Sequence, residues 1–246
     1  MRSQHFFVHL PKCAGTSLLK SLGRIGKRRL MIVSKYPQSK RAALEGLNRQ
    51  LADRRLTIED PDLIFGHDVF YGIHQSSERP VHYATVLRCP VQRWISQYRY
   101  IVDCSQNPRS PIHEYSRSAV VEDGQILSMQ QCAERGLWTN MITNYLAAAV
   151  DPDLNTGRWY IESEVRLKEM AIDFIDRMSF IGFVDSMVED EATICEWFGL
   201  SSKLKVVNSS KTRVAEKLSD QTQEMICQIN AIDQAVFDYA RTSRGR

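Results

Sequence analysis

No two of the six cysteines in this 246-residue chain form a C-x-x-C pair; they lie scattered at positions 13, 89, 104, 132, 195 and 227. That pattern is unlike a zinc site or a disulfide framework, and predicts free thiols in a reducing compartment. Long apolar runs are also missing. Met1 to Leu10 has no signal-peptide core. The longest uncharged stretch, Gly136 to Val150, holds Thr139, Asn140, Thr143 and Asn144 and is shorter than the ~20 apolar residues of a membrane helix. A cytoplasmic protein with no membrane span is expected. Charge of one sign is not in great excess: 32 Lys and Arg against 29 Asp and Glu leave +3. So small a surplus argues against nucleic acid as a partner, while leaving room for a local basic pocket. No repeat, low-complexity tract, linker or metal-ligand cluster is visible, and no metal is expected. What is there is ordinary for a globular protein, 43% hydrophobic and 25% charged. The chain is long enough to bury a core without staples, and a single domain over 1–246 is expected.

Along the chain, short β-rich runs alternate with helical patterns. His5 to Leu10, Leu30 to Val33, Leu63 to His67, Tyr83 to Leu87 and Phe180 to Val184 read as strands. Leu18 to Ile25, Ala43 to Leu56, Pro90 to Val102, Gln130 to Ala149, Val165 to Met178, Glu189 to Phe198 and a Ser219-capped segment to Ala240 read as helices. Residues 103–125 read as a long loop, and Val206 to Leu218 as a basic one. The predicted class is α/β: a P-loop-like three-layer fold whose central, mainly parallel sheet is flanked by helices. Ligands of such sheets gather at the carboxyl ends of the strands, so the loops there carry the functional reading.

The first of these loops is Pro11-Lys12-Cys13-Ala14-Gly15-Thr16-Ser17. Unsatisfied N–H groups at the start of the next helix, with its dipole, make an anion cradle. Gly15 lets backbone approach a phosphate, Thr16 and Ser17 offer hydroxyls, and Lys12 adds charge. The spacing is not Walker A, in which lysine directly precedes the magnesium-holding Ser/Thr. From residues alone it reads almost as well as an ordinary strand-to-helix turn. The second loop is Leu87-Arg88-Cys89-Pro90-Val91-Gln92-Arg93-Trp94-Ile95-Ser96. Arg88 can fork onto a phosphate and Ser96 can add a hydroxyl, or Arg88 can pair structurally with a carboxylate. Arg93 reads as a structural brace, and Trp94 and Tyr98 as core.

Together these motifs, P-K-x-x-G-T-S and L-R-x-P-x-x-R-x-x-S, resemble the sulfotransferases that use 3′-phosphoadenosine-5′-phosphosulfate (PAPS). Residues His9 to Ser17 and Val86 to Tyr100 are most similar to the carbohydrate branch, especially heparan sulfate and uronyl 2-O-sulfotransferases. Phe65-Gly66-His67 resembles the segment carrying that branch's catalytic base. Trp138-Thr139-Asn140 and Phe180 to Val184 resemble middle segments, and Asn208 to Arg213 a late loop over the nucleotide. The resemblance spans about residues 5–240 and is weak over 103–135. Cys89 departs from the frequent Asp or Asn.

The resemblance implies that Lys12, Cys13, Ala14, Gly15, Thr16 and Ser17 cradle the 5′-phosphosulfate. Arg88 and Ser96 would take the 3′-phosphate, with Lys211, Thr212 and Arg213 as a flap. PAPS is then the co-substrate and 3′-phosphoadenosine-5′-phosphate the product. The acceptor is a free hydroxyl, by resemblance on a saccharide or glycolipid. Lys12 would stabilise the leaving oxygen and His67 would act as general base, with His74 as second choice. By itself His67 reads by default as a satisfied strand-end histidine, and Lys211 and Arg213 as solvated charges. Phe70, Tyr71 and Trp138 are acceptor-pocket or packing residues. The competing functions are a P-loop kinase of a small metabolite and a catalytically silent nucleotide- or glycan-binding protein. Oligomeric state is not legible.

Overall fold

A computed structural model describes residues 2–22, 30–33, 40–67, 69–151, 154, 163–200, 204 and 218–243. Five strands, β1 (Gln4–Val8), β2 (Leu30–Val33), β3 (Leu63–Gly66), β4 (Val81–Leu87) and β7 (Phe180–Phe183), form one sheet in the order β2-β3-β1-β4-β7. Every neighbouring pair is parallel. All carboxyl ends therefore share one edge. The fold is α/β with a parallel central sheet flanked by helices.

A parallel sheet needs apolar cover on both faces, and alternate residues supply it. Phe7, Phe65, Ala84 and Val86 pack beneath Leu18 and Leu22 of α1 (Gly15–Leu22) and Ile194 and Phe198 of α8 (Glu191–Phe198). On the other face Phe6, Val8, Ile64, Tyr83, Ile181 and Phe183 meet α2 (Lys40–Asp53), α6 (Met141–Val150), α7 (Glu164–Asp176) and α10 (Ala231–Ser243). A separate apolar cluster joins α3 (Pro90–Ser105) to α4 (His113–Val120), α5 (Met129–Glu134) and α9 (Asp220–Ile229). Trp94 and Tyr98 lie buried in it, as their shared helix face predicts.

Three segments differ from the sequence expectation. The 103–125 stretch is not one loop: α4 lies within it, anchored by buried Ser116 and Val120, and a small hairpin of β5 (Val121–Glu122) and β6 (Gln125–Ile126) follows. The helix expected over Gln130 to Ala149 is two helices. Between α5 and α6, Gly136, Trp138 and Asn140 all have left-handed φ, at 63°, 60° and 47°. That strained turn is pinned from α3: Trp94 Nε1 donates to Leu137 O (2.7 Å) and Arg93 Nη2 to Trp138 O (3.0 Å). The last helix is likewise broken. Ser219 caps α9, accepting from Thr222 N at 3.1 Å, and Asn230 ends it.

Asn230 and α10 then lock the strained turn from the far side. Asn140 N donates to Asn230 Oδ1, and Asp233 accepts from Ile142 N, Thr143 N and Thr143 Oγ1 at 2.7–2.9 Å. Asp233 is fully buried, and burial raises its carboxyl pKa while nearby Arg93 opposes that rise. The α6 amides it caps favour its charged form. Arg93 is thus the brace the sequence suggested. The described cysteines are all free thiols, and among the described residues no helix is long and apolar enough to cross a membrane.

Candidate functional site

Sheet order sets the site. Because β1 lies between β3 and β4, the segments leaving these strands stand side by side as His67, Lys12 and Arg88. Adjacent strands are about 4.8 Å apart, so three groups distant in sequence converge on one edge. The two motif loops touch directly: Arg88 Nη1 donates to Lys12 O at 3.3 Å.

In the first loop Lys12 and Ala14 adopt left-handed φ, 66° and 61°. This compact turn delivers the chain into α1. Among the described residues no acceptor meets the N–H groups of Ala14, Gly15 and Thr16. Ser17 N, expected to join the cradle, donates instead to Ala14 O (3.0 Å), and Cys13 N to Leu10 O (3.3 Å). The cradle's open amides are therefore those of residues 14–16. The Cys13 side chain is 1% exposed, and burial pushes its thiol up to about 12. It faces the core, so no thiolate is presented to a ligand.

Gly15 has a reason that sequence reading missed. A Cβ there would lie 1.6 Å from His9 Nε2. The His9 ring takes the space of a side chain against the first turn of α1. Gly66 is required in the same way, since its Cβ would lie 1.6 Å from Val33 O. Glycine at 66 thus lets β2 lie close against the Phe65-Gly66-His67 segment.

His9 and His67 stack at 4.2 Å with 21° between planes. His67 Nδ1 lies 2.6 Å from His9 O. A carbonyl only accepts, so Nδ1 carries the proton and the lone pair of the neutral ring lies on Nε2. Burial lowers the His67 pKa, and the carbonyl bond partly restores it; His9 is lowered to about 3, by burial first and His67 second. Both rings are neutral near pH 7. His74 is placed elsewhere: its Nδ1 meets Tyr83 Oη (2.8 Å), which donates to Phe70 O (3.1 Å). Tyr83 pairs with Phe6, inside the sheet rather than at its carboxyl edge. Phe70 is core, and Tyr71 lies under the Arg177 guanidinium at 4.8 Å.

The second motif adds more positive charge. Ser96 is half-buried on α3, and Arg99, one turn later, was not singled out in the sequence. Arg99 Nε is buried with no hydrogen-bond partner among the described residues. Burial works against the charges of Lys12 and Arg88; Arg88 lowers Lys12 further, and Arg99 lowers Arg88. Like charges gathered in a partly desolvated place are what an anion would relieve. Lys12 Nζ also sits 4.0 Å from the centroid of the Tyr100 ring. The helical phase of α3 brings Ser96, Arg99 and Tyr100 to neighbouring positions, a signal the sequence held. Lys211, Thr212 and Arg213 lie outside the described residues.

No protein-family model matches the chain, and no curated protein does. Among solved structures it is similar to a sulfotransferase from Alicyclobacillus acidocaldarius, with a TM-score of 0.46 and 14% identity, over 100% of this chain and 97% of that one. It is also similar to mouse sulfotransferase SULT7A1 complexed with PAP, with a TM-score of 0.38 and 13% identity. That match covers 82% of this chain and 60% of the mouse protein. At such identities no residue correspondence follows, and the chemistry rests on the geometry of the site itself.

Proposed function

We propose that this protein is a PAPS-dependent sulfotransferase that moves a sulfuryl group to an acceptor hydroxyl. One observation carries the reading: the side-by-side placement of His67, Lys12 and Arg88, with the two motif loops joined by the Arg88–Lys12 contact. A doubly anionic adenosine carrier fits that order. Its 3′-phosphate goes to Arg88 and Ser96, with Arg99 adding charge. Its 5′-phosphosulfate goes to the open amides of residues 14–16 and to Lys12. Its sulfate then points towards His67. Lys211, Thr212 and Arg213 would close over the nucleotide.

Transfer of this kind needs in-line positioning and stabilisation of the leaving oxygen, with little covalent work from the protein. Lys12 and the loop amides meet charge that grows towards the transition state. The acceptor O–H gives its proton to His67 Nε2 as its oxygen bonds sulfur, while the bond from sulfur to the bridging oxygen breaks. The nucleotide leaves as 3′-phosphoadenosine-5′-phosphate. We read the acceptor as a saccharide hydroxyl and the location as cytoplasmic, in keeping with six free thiols.

The test is a thermal-shift comparison followed by turnover with sulfur-35-labelled PAPS against a panel of sugars and simple alcohols. The expected result is stabilisation by 3′-phosphoadenosine-5′-phosphate but not by ATP–Mg²⁺, and label transferred to a sugar. Stabilisation by ATP–Mg²⁺ alone points to the kinase. Stabilisation by the nucleotide without turnover points to a silent binder.

A further inference from the structure

Lys12 is asked to do the most in this site, yet burial and Arg88 both work against its charge. Its left-handed backbone is one a lysine keeps only where surrounding contacts hold it. Arg88 Nη1 donates to the Lys12 carbonyl, and the Lys12 side chain makes an aromatic contact, the 4.0 Å approach of Nζ to the Tyr100 ring. Tyr100 lies four residues after Ser96 on α3, so the face that carries the Ser96 hydroxyl carries the ring as well. It is 41% exposed, and core packing does not account for its place. Cys104 and Asp103 on the same helix, and Cys13 next to Lys12 in the loop, add fields that favour the Lys12 cation.

We propose that Tyr100 is a positioning residue for Lys12, its ring face holding the ammonium charged at the mouth of the 11–17 loop. A ring suits this task better than a carboxylate. A carboxylate would occupy the N–H donors of Lys12 and repel an incoming phosphosulfate. The ring attracts the cation through its quadrupole and leaves the three donors for the anion. The kinetic part of this inference rests on the sulfuryl-transfer reading; the positional part does not.

The experiment compares Tyr100→Leu and Tyr100→Phe with wild type in protein carrying carbon-13 lysine. The Lys12 ε-CH₂ signal is assigned by its loss in Lys12→Arg. In wild type that signal is displaced upfield by the ring current; it stays displaced in Tyr100→Phe and returns among the other lysines in Tyr100→Leu. With PAPS, Tyr100→Leu lowers kcat by ~3–10-fold, changes donor KM less, and moves the basic limb of the pH–rate profile to lower pH. Tyr100→Phe restores most of the rate and the limb. An undisplaced Lys12 signal in wild type, or equal kinetics in Tyr100→Leu, overturns the proposal. Should the wild type turn over no PAPS at all, the proposed function fails, and the signal alone still decides whether Tyr100 holds Lys12.

Discussion

A histidine pair stands at each end of strand β1, His5 with His82 and His9 with His67, and the two pairs differ in almost everything but composition. At the amino edge His5 lies beside its register partner His82, ring centroids 5.4 Å apart and tilted by 41°. The arginine there, Arg79, gives its donors to the carbonyls of Arg2, Ser3, Glu59 and Pro61 and to Asp62. His82 Nδ1 meets Ser179 Oγ at 3.0 Å. At the carboxyl edge His9 and His67 are closer and stacked, and the tautomer of His67 is fixed. Among the described residues the arginine at that edge, Arg88, makes one long side-chain bond, to Lys12 O. A guanidinium spread over backbone carbonyls is a clasp; one held among other cations near open amides is left with donors to spare. Residue type does not separate these two ends, whereas the hydrogen bonding of their arginines does.

The largest expected contrast lies in turnover. His67→Ala should lower kcat by ~10²–10⁴-fold while 3′-phosphoadenosine-5′-phosphate still binds near its wild-type affinity. His82→Ala should leave kcat alone. Because burial holds the His67 pKa below 6.5, the acid limb of the wild-type rate profile should fall below pH 6.5. Equal turnover in wild type and His67→Ala would remove the carboxyl-edge pair from the chemistry.

Next come the arginines. Arg88→Ala should raise donor KM by about 10–150-fold, as expected for a lost charged bond of roughly 1.5–3 kcal/mol. It should also erase the preference for a 3′-phosphorylated donor. Arg79→Ala should do the reverse, lowering the melting temperature with donor KM unchanged. The comparison breaks if both variants act on the same quantity.

A smaller effect probes why the carboxyl-edge pair stacks as it does. Gly15→Ala places a methyl on the His9 ring, so it should destabilise by ~1–3 kcal/mol. In the His9→Ala background the same substitution should be nearly neutral, a coupling read from a double-mutant cycle of denaturation curves. Additive changes would mean that Gly15 serves only ligand approach.

These contrasts show what was legible in the chain. The five strands and the two strand-to-helix motifs follow from period and turn chemistry, which are local. The break at Gly136–Asn140 does not, because its strained turn is held by Arg93, Trp94 and Asn230 from other helices. The helix in 103–125 escaped because it buries only Ser116 and Val120 and has little apolar stripe to read. Lys12, Arg88 and His67 could be named from sequence, but their adjacency needed the strand order. Arg99 and Tyr100 matter through the phase of α3 against a loop far away in sequence. Gly15 suggested a phosphate, and the ring that also demands glycine there was out of view.

A last contrast concerns acid stability, where His9 and His5 act in one direction but unequally. His9 is lowered to about 3 in the fold, by burial and then by His67; His5 is lowered as well, by burial and then by His82. A depressed histidine makes the unfolded chain the better proton acceptor. Its contribution is therefore complete above pH 6.5 and drains away as pH falls towards the folded value. For His9 that window runs from 6.5 to about 3. His9→Gln should flatten the stability–pH curve between pH 6 and 4 by at most ~1.4 kcal/mol per unit. His5→Gln should flatten it less, because that ring sits at a more open edge, with Asp62 favouring its charged form. Urea denaturation across that range reads both slopes. A larger change from His5→Gln would reverse the order of shelter assigned to the two ends of β1.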